Sequence, residues 1–287
     1  MNSRTRPRVL ITGSAGLLGR SLLKELARDH VISAPALEEL NVLRREETLA
    51  YINRVKPDLI IHAAAYTAVD RAEEEERQAL ALNVEGSRTV AEGARRCRSF
   101  LIYISTDYVF DGLKGHPYTE DDPPAPLNVY GRSKLAGEGV ISETALEHLI
   151  IRTAWTYGPG RTNFVRQMMQ WAVEGKHVKV VDDQVGSPTY TPHLAGAVRL
   201  LQQSRAAGVV NVVNSGSCSW YQLTREIYRL AGASPELVTP ISSKRLDRPA
   251  RRPPYSVLST AKFQRITGRD LPPWPDALRS YFLTMRG

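Results

Sequence analysis

The sequence predicts an α/β fold: a doubly wound parallel sheet with a smaller C-terminal region. Three observations carry this expectation. Short, continuous apolar runs alternate with stretches of helical period through residues 8–152, and strands that are apolar on both faces mark a sheet covered on both sides. A glycine-rich turn follows the first of those runs directly, at the place where such sheets bind nucleotides. Past Trp155 the alternation loosens and the tail turns proline-rich.

Arg8–Thr12 reads as a buried strand, Leu17–Arg28 as a helix and Val31–Ser33 as a second strand, so the chain opens on a βαβ unit. A helix over Glu46–Val55, a strand Leu59–His62, a long helix near Arg77–Arg96 and a strand Phe100–Ser105 continue the pattern. The charge run Glu73–Glu76 reads as the solvated N-terminal turn of a helix, where acids meet the positive end of the helix dipole. Pro123, Pro124 and Pro126 mark a loop before a helix over Val129–Ser142 and a strand His148–Arg152. Residues 1–155 are therefore expected to form a dinucleotide-binding domain. Residues 156–287 are expected to form a substrate-binding region with at least one return of the chain to the main sheet. Its elements read as helices over Phe164–Val173, Leu194–Gln203 and Trp220–Ala231, with apolar runs at Val178–Val181 and Val209–Val213.

With 287 residues, 42% of them hydrophobic and 24% charged, the chain can bury one large core or two that share an interface, which speaks against disorder. No apolar run approaches the ~20 residues of a membrane span, and the polar start Met1–Arg8 lacks the apolar stretch of a secretory signal. The expected address is the cytoplasm, with no membrane contact. Cys97 and Cys218 stand far apart and without ligand spacing, so two reduced thiols and no metal site are expected. The net charge of +8 is concentrated at the end, where Pro240–Gly287 holds ten Lys or Arg against three Asp. Such a tail can bind nucleic acid, but Pro249, Pro253 and Pro254 interrupt these charges and aromatic residues are scarce among them. An anionic small ligand such as a sugar diphosphate fits better, beside the plain alternative of a solvated basic surface.

Gly13, Gly16 and Gly19 lie between the first strand and the first helix, where bare backbone can approach a pyrophosphate at the helix N-terminus. This is a Rossmann-like arrangement. Val31-Ile32-Ser33-Ala34-Pro35, where the cofactor would be chosen, offers neither an acid for ribose hydroxyls nor a base for a 2′-phosphate. Arg20 reads either as a phosphate contact or as a solvated helix residue. The cofactor expectation is NADPH, with NADH open. Tyr130 and Lys134 share one helix face at i and i+4, and an ammonium beside the phenol is expected to lower its pKa. Ser105-Thr106-Asp107 ends a strand upstream, where parallel strands frame the ligand crevice.

At this point the residues become recognisable. Residues 105–112, STDYVFDG, with residues 126–134, PLNVYGRSK, resemble the dTDP-4-dehydrorhamnose reductase family, an extended short-chain dehydrogenase/reductase group. Residues 63–70 (AAAYTAVD), 152–155 (RTAW), 182–189 (DDQVGSPT) and 250–253 (ARRP) look like further blocks of that family. The resemblance implies reduction of dTDP-4-dehydro-β-L-rhamnose to dTDP-L-rhamnose, a nucleotide-sugar step in surface polysaccharide synthesis. It implies Tyr130 as proton donor, Lys134 as ribose holder and Thr106 as the carbonyl contact, with Asp107 and Trp155 against the sugar; a buried core aromatic is the alternative for Trp155. Gly16, Leu17 and Leu18 would meet the pyrophosphate, and Ala65, Tyr66 and Thr67 would line the cofactor. Asn41 and Val42 would flank the adenine, although family members often have an acid where Asn41 stands. Arg251 and Arg252 would clamp the substrate diphosphate, or lie on the surface.

Two other readings stand beside this one. The beta subunit of methionine adenosyltransferase, a non-catalytic regulatory subunit, has a similar fold and similar blocks, and a reductase of another dTDP-4-keto-deoxysugar would share most of them. Residues 184–189 (QVGSPT) and Trp155 favour a sugar reductase. The oligomeric state is not legible.

Overall fold

A computed structural model describes residues 6–286; most of the polar N-terminal stretch read above, Met1–Thr5, lies outside the described residues. The chain runs β1 (Arg8–Thr12), α1 (Leu17–Leu26), β2 (Val31–Ser33), α2 (Arg45–Val55), β3 (Leu59–His62), α3 (Val69–Glu74), α4 (Glu76–Leu80), a π-helical stretch (Ala81–Gly86), α5 (Ser87–Cys97), β4 (Phe100–Thr106), α6 (Val129–Thr144) and β5 (His148–Thr153). It continues through β6 (Thr156–Tyr157), α7 (Phe164–Val173), β7 (Val178–Val181), β8 (Val185–Gly186), β9 (Thr189–Tyr190), α8 (Thr191–Gln203) and β10 (Gly208–Asn211). The remainder is β11 (Cys218–Ser219), α9 (Trp220–Ala231), β12 (Val238–Ile241), α10 (Ala261–Thr267) and α11 (Trp274–Arg286).

Six parallel strands form the main sheet in the order β10-β5-β4-β3-β1-β2. Alternate residues of each strand point to opposite faces, and both faces are buried. Val9, Ile11, Ile61, Ile102 and Ile151 meet Leu18, Leu22 and Leu26 of α1 and Leu194, Val198 and Leu201 of α8. Leu10, Ile60, Leu101, Tyr103 and Ile150 meet Ile52 of α2, Val90, Ala91 and Ala94 of α5 and Ile141 of α6. That two-sided burial is why the strands read as unbroken apolar runs. β10 brings the chain back to this sheet beside β5, with Val209 opposite Ile150. The rest of the C-terminal half is built from three two-stranded sheets and an aromatic cluster around Tyr157, Tyr190, Tyr281 and Phe282.

Two local expectations are met only in part. The long helix near 77–96 is broken by the π-helical turn Ala81–Gly86, because Asn83 within it bonds sideways to other segments. The run Glu73–Glu76 opens a helix only through Glu76, the first residue of α4: Glu73 and Glu74 end α3, and Glu75 between the two helices leaves helical geometry at φ −111° and ψ 39°. Glu75 instead accepts from the Tyr66 hydroxyl and from Arg71.

Candidate active site

The carboxyl ends of β1, β3, β4 and β5 converge at one edge of the sheet, and each delivers part of the site. After β1, Gly13 adopts a left-handed backbone (φ +70°), and a Cβ there would lie 2.6–2.8 Å from the backbone of Ala63 and Ala64. At Gly19 a Cβ would come within 2.3 Å of the Gly13 carbonyl oxygen. These two glycines close the turn. Gly16 differs, because a Cβ there would meet one atom, the Gly13 oxygen at 3.1 Å. Gly16 is also the N-cap of α1 and supplies no side-chain cap, so the first-turn N–H groups of Leu17, Leu18 and Gly19 have no acceptor in their own helix. An anion at this end meets bare amides and the positive end of the dipole.

Around that turn, the Ser14 hydroxyl donates to the Pro35 carbonyl at 3.2 Å, which ties the turn to the end of β2. Arg20 is exposed, and its Nε donates to the Ala15 carbonyl at 3.2 Å. Asn41 caps a local turn through Leu43 N (3.1 Å), whereas Val42 is buried beneath the π-helical stretch, 2.9 Å from where a Cβ on Gly86 would stand. After β3, Ala65 and Tyr66 are half-buried and Thr67 is exposed. Asn83 fixes this segment: its Oδ1 accepts from Tyr66 N (2.8 Å), and its Nδ2 donates to the Tyr66 carbonyl (3.1 Å) and the Ser133 hydroxyl (2.8 Å) of α6. A π-helical turn at a functional position is a recurrent device.

Thr106 ends β4 and Asp107 follows it, and α6 lays Tyr130 and Lys134 beside them. Asn128 caps α6 by accepting from Gly131 N at 2.8 Å. The Thr106 hydroxyl donates to Asp107 Oδ1 at 3.0 Å, and the Ser256 hydroxyl donates to Asp107 Oδ2 at 2.5 Å. Burial pushes the Asp107 carboxyl up to about 7 against those two hydrogen bonds. The Tyr130 phenol does not have the lowered pKa expected from its neighbour. Burial pushes it up to about 12, Thr106 acts against this, and the Asp107 charge adds to it. Lys134 does not offset these effects on the phenol; its ammonium stands over the Tyr103 ring, 3.9 Å from the centroid. Burial pulls Lys134 itself down to about 7.

Trp155 follows β5 with φ +44°, a backbone region that bulky residues seldom occupy and that clusters at functional sites. Its ring stacks on Trp220 at 3.7 Å and lies against Gly186. The C-terminal tail reaches the same edge. Asn128 Nδ2 donates to the Arg251 carbonyl (2.8 Å), and the Arg251 side chain is exposed. Arg252 forms a two-pronged pair with Asp70, both distances 2.6 Å.

Several residues here were not singled out from sequence. Asn83 sat within what read as ordinary helix. Glu138, at i+4 from Lys134, was legible as a spacing but carried no assignment. Trp220 and Ser256 are brought in by the fold alone, from positions far along the chain.

The sequence pattern of the RmlD substrate binding domain family matches residues 7–286. The chain belongs to that family. It is 38% identical to a dTDP-4-dehydrorhamnose reductase of Streptomyces griseus over 100% of this chain and 97% of that protein. It is 40% identical to a probable dTDP-4,6-dihydroxy-2-methyloxan-3-one 4-ketoreductase of Streptomyces antibioticus, over 96% and 94%. Among solved structures, a dTDP-4-dehydrorhamnose reductase of Bacillus anthracis in complex with NADP superposes with a TM-score of 0.94 at 36% identity, covering 98% of this chain and 100% of that one.

Proposed function

We propose that this RmlD-family chain is an NADPH-dependent reductase that converts dTDP-4-dehydro-β-L-rhamnose to dTDP-L-rhamnose, with NADH as the possible substitute. The observation that carries this is the convergence of Thr106, Tyr130 and Lys134 on the edge of the sheet that also bears the uncapped α1 turn. The residues present fit a dinucleotide: the Gly13–Gly19 turn leaves backbone amides bare, and no hydrogen-bond acceptor among the described residues reaches the buried Lys134 ammonium. Bound NADPH supplies the hydride.

The chain's own groups do the rest. Leu17, Leu18 and Gly19 amides bind the pyrophosphate, with Ala65, Tyr66, Thr67, Asn41 and Val42 placing the remainder of the cofactor. The Thr106 hydroxyl turns from Asp107 to donate to the keto oxygen, and Lys134 holds the ribose. The carbonyl carbon gains the hydride while its oxygen takes the proton of the Tyr130 hydroxyl, and the tyrosinate regains a proton from solvent. A phenol near 12 keeps its proton until a stronger base, the nascent alkoxide, forms beside it. Trp155 and Asp107 seat the sugar, and Arg251 and Arg252 meet the diphosphate.

A second reading, reduction of a different dTDP-4-keto-deoxysugar, is favoured by the 40% identity to the Streptomyces antibioticus protein. The deciding assay mixes protein with NADPH, then with NADH, adds each candidate dTDP-4-keto sugar, and follows loss of reduced-nicotinamide absorbance. The rhamnose precursor is expected to give the highest kcat/KM with NADPH. No turnover of any keto sugar would overturn the reading in favour of the regulatory-subunit alternative.

A further inference from the structure

Tyr130, Lys134 and Glu138 fall at intervals of four along α6 and so share one face. Glu138 has a side chain only 6% exposed, a depth at which a lone carboxylate takes up a proton. Three donors bond its two oxygens. The Ser105 hydroxyl reaches Oε1 at 2.5 Å, and Arg152 of β5 bonds both oxygens, Nε to Oε1 at 3.0 Å and Nη2 to Oε2 at 2.7 Å. Arg152 is braced in turn by the Phe110 ring, 5.2 Å from its Cζ. A buried pair of this kind is a weak source of stability, because desolvation of both ions offsets their attraction. Its place one turn below Lys134, beside the strand that carries Thr106, suits a different task.

We propose that Glu138 is a positioning residue for the reduction, clamped by Arg152 and Ser105 so that its carboxylate keeps Lys134 an ammonium one turn from Tyr130. This rests on the reductase reading above. Lys134 needs such a partner: its Nζ faces an aromatic ring, burial pulls it down, and Glu138 is the group that acts upward on it. The other ionisable groups in the surrounding elements are His62 of β3, Tyr103 of β4, Asp107 and Tyr108 after it, Tyr130 and Arg152. His62, between the Thr12 and Ser87 hydroxyls, is held down to about 3 by burial and by Lys134, so it is neutral at working pH. Burial raises all three phenols, and they stay protonated. Asp107 alone titrates in the same range as Lys134, near 7.

The test is NADPH binding by calorimetry from about pH 5 to about pH 10, in the parent, in Glu138→Gln and in Glu138→Gln/Arg152→Gln. The double variant removes Arg152 together with its partner, so it guards against a single variant that fails to fold because the Arg152 charge is left unpaired. Repeating the series in an Asp107→Asn background removes the other group that titrates in this range. Affinity falls as Lys134 loses its proton, and the midpoint is expected about 1 unit lower in both Glu138 variants, the scale of one close charge. The fall of kcat/KM at alkaline pH moves with it. A merely structural pair would lower the melting temperature and leave the midpoint in place. A folded variant with the parental midpoint overturns the proposal. A shifted midpoint in a protein that reduces no keto sugar would keep the coupling of Glu138 to Lys134 and remove the reductase reading alone.

Discussion

Tyr130 and Asp107 both have pKa values raised by burial, with opposite consequences for charge. The phenol stays neutral and ready to donate, whereas the carboxyl sits near the middle of its titration at neutral pH. Tyr130→Phe keeps the ring against Tyr108, whose centroid is 5.9 Å away, and removes only the proton. Turnover per folded molecule is expected to fall about 10²–10⁴-fold with NADPH binding retained, measured with melting alongside. For Asp107 the sign follows from proton counting. Its pKa is raised from 3.8 to about 7, so between those values the folded state binds a proton that the unfolded chain has lost. The contribution of Asp107 to stability is thus present in acid and is lost as pH rises through about 7. Melting curves of the parent and Asp107→Asn, taken as a difference to cancel His62 and the other groups, should show the parent losing ground from about pH 4 to about pH 7. A constant difference would count against this titration. Most of these residues were legible in sequence because Y-x-x-x-K and S-T-D are local patterns. Their acidities were not, since they depend on burial and on Ser256, which lies 149 residues from Asp107.

At the level of elements, the turn from β1 to α1 was readable from glycine spacing, and the three glycines divide the labour. Gly13 and Gly19 close the turn, while Gly16 leaves the helix N-terminus open. Gly16→Val is therefore expected to fold and to lose NADPH binding by steric exclusion, which calorimetry measures; parental affinity in a folded Gly16→Val would refute the cradle. The π-helical turn was not readable. Its amino acids suit an ordinary helix, and what bends the backbone is the bonding of Asn83 to Tyr66 and Ser133, partners 17 and 50 residues away. The strands of the main sheet were legible for the converse reason: burial on both faces writes itself into consecutive apolar residues.

On the scale of the whole molecule, Arg252 and Asp70 join the tail to α3 across 182 residues of sequence. The two arginines of the proposed diphosphate clamp thus stand in different states, Arg252 paired and Arg251 exposed. Steady-state kinetics of Arg251→Ala should show a raised KM for the sugar nucleotide with the NADPH constant unchanged. Arg252→Ala should add a lowered melting temperature, since it also releases the tail; unchanged constants in both would return them to the surface.

The placement of β10 has a consequence for synthesis of the chain. β5 is an interior strand only because residues 208–211 arrive on its far side. A nascent chain stopped at Trp155 would hold Leu149, Ile150 and Ile151 on an open sheet edge, with the covering residues of α8 still untranslated. Unpaired apolar edges recruit other chains. The N-terminal fragment made alone should therefore collect in the insoluble fraction of a cell extract, and a separately expressed 156–287 piece should rescue part of it.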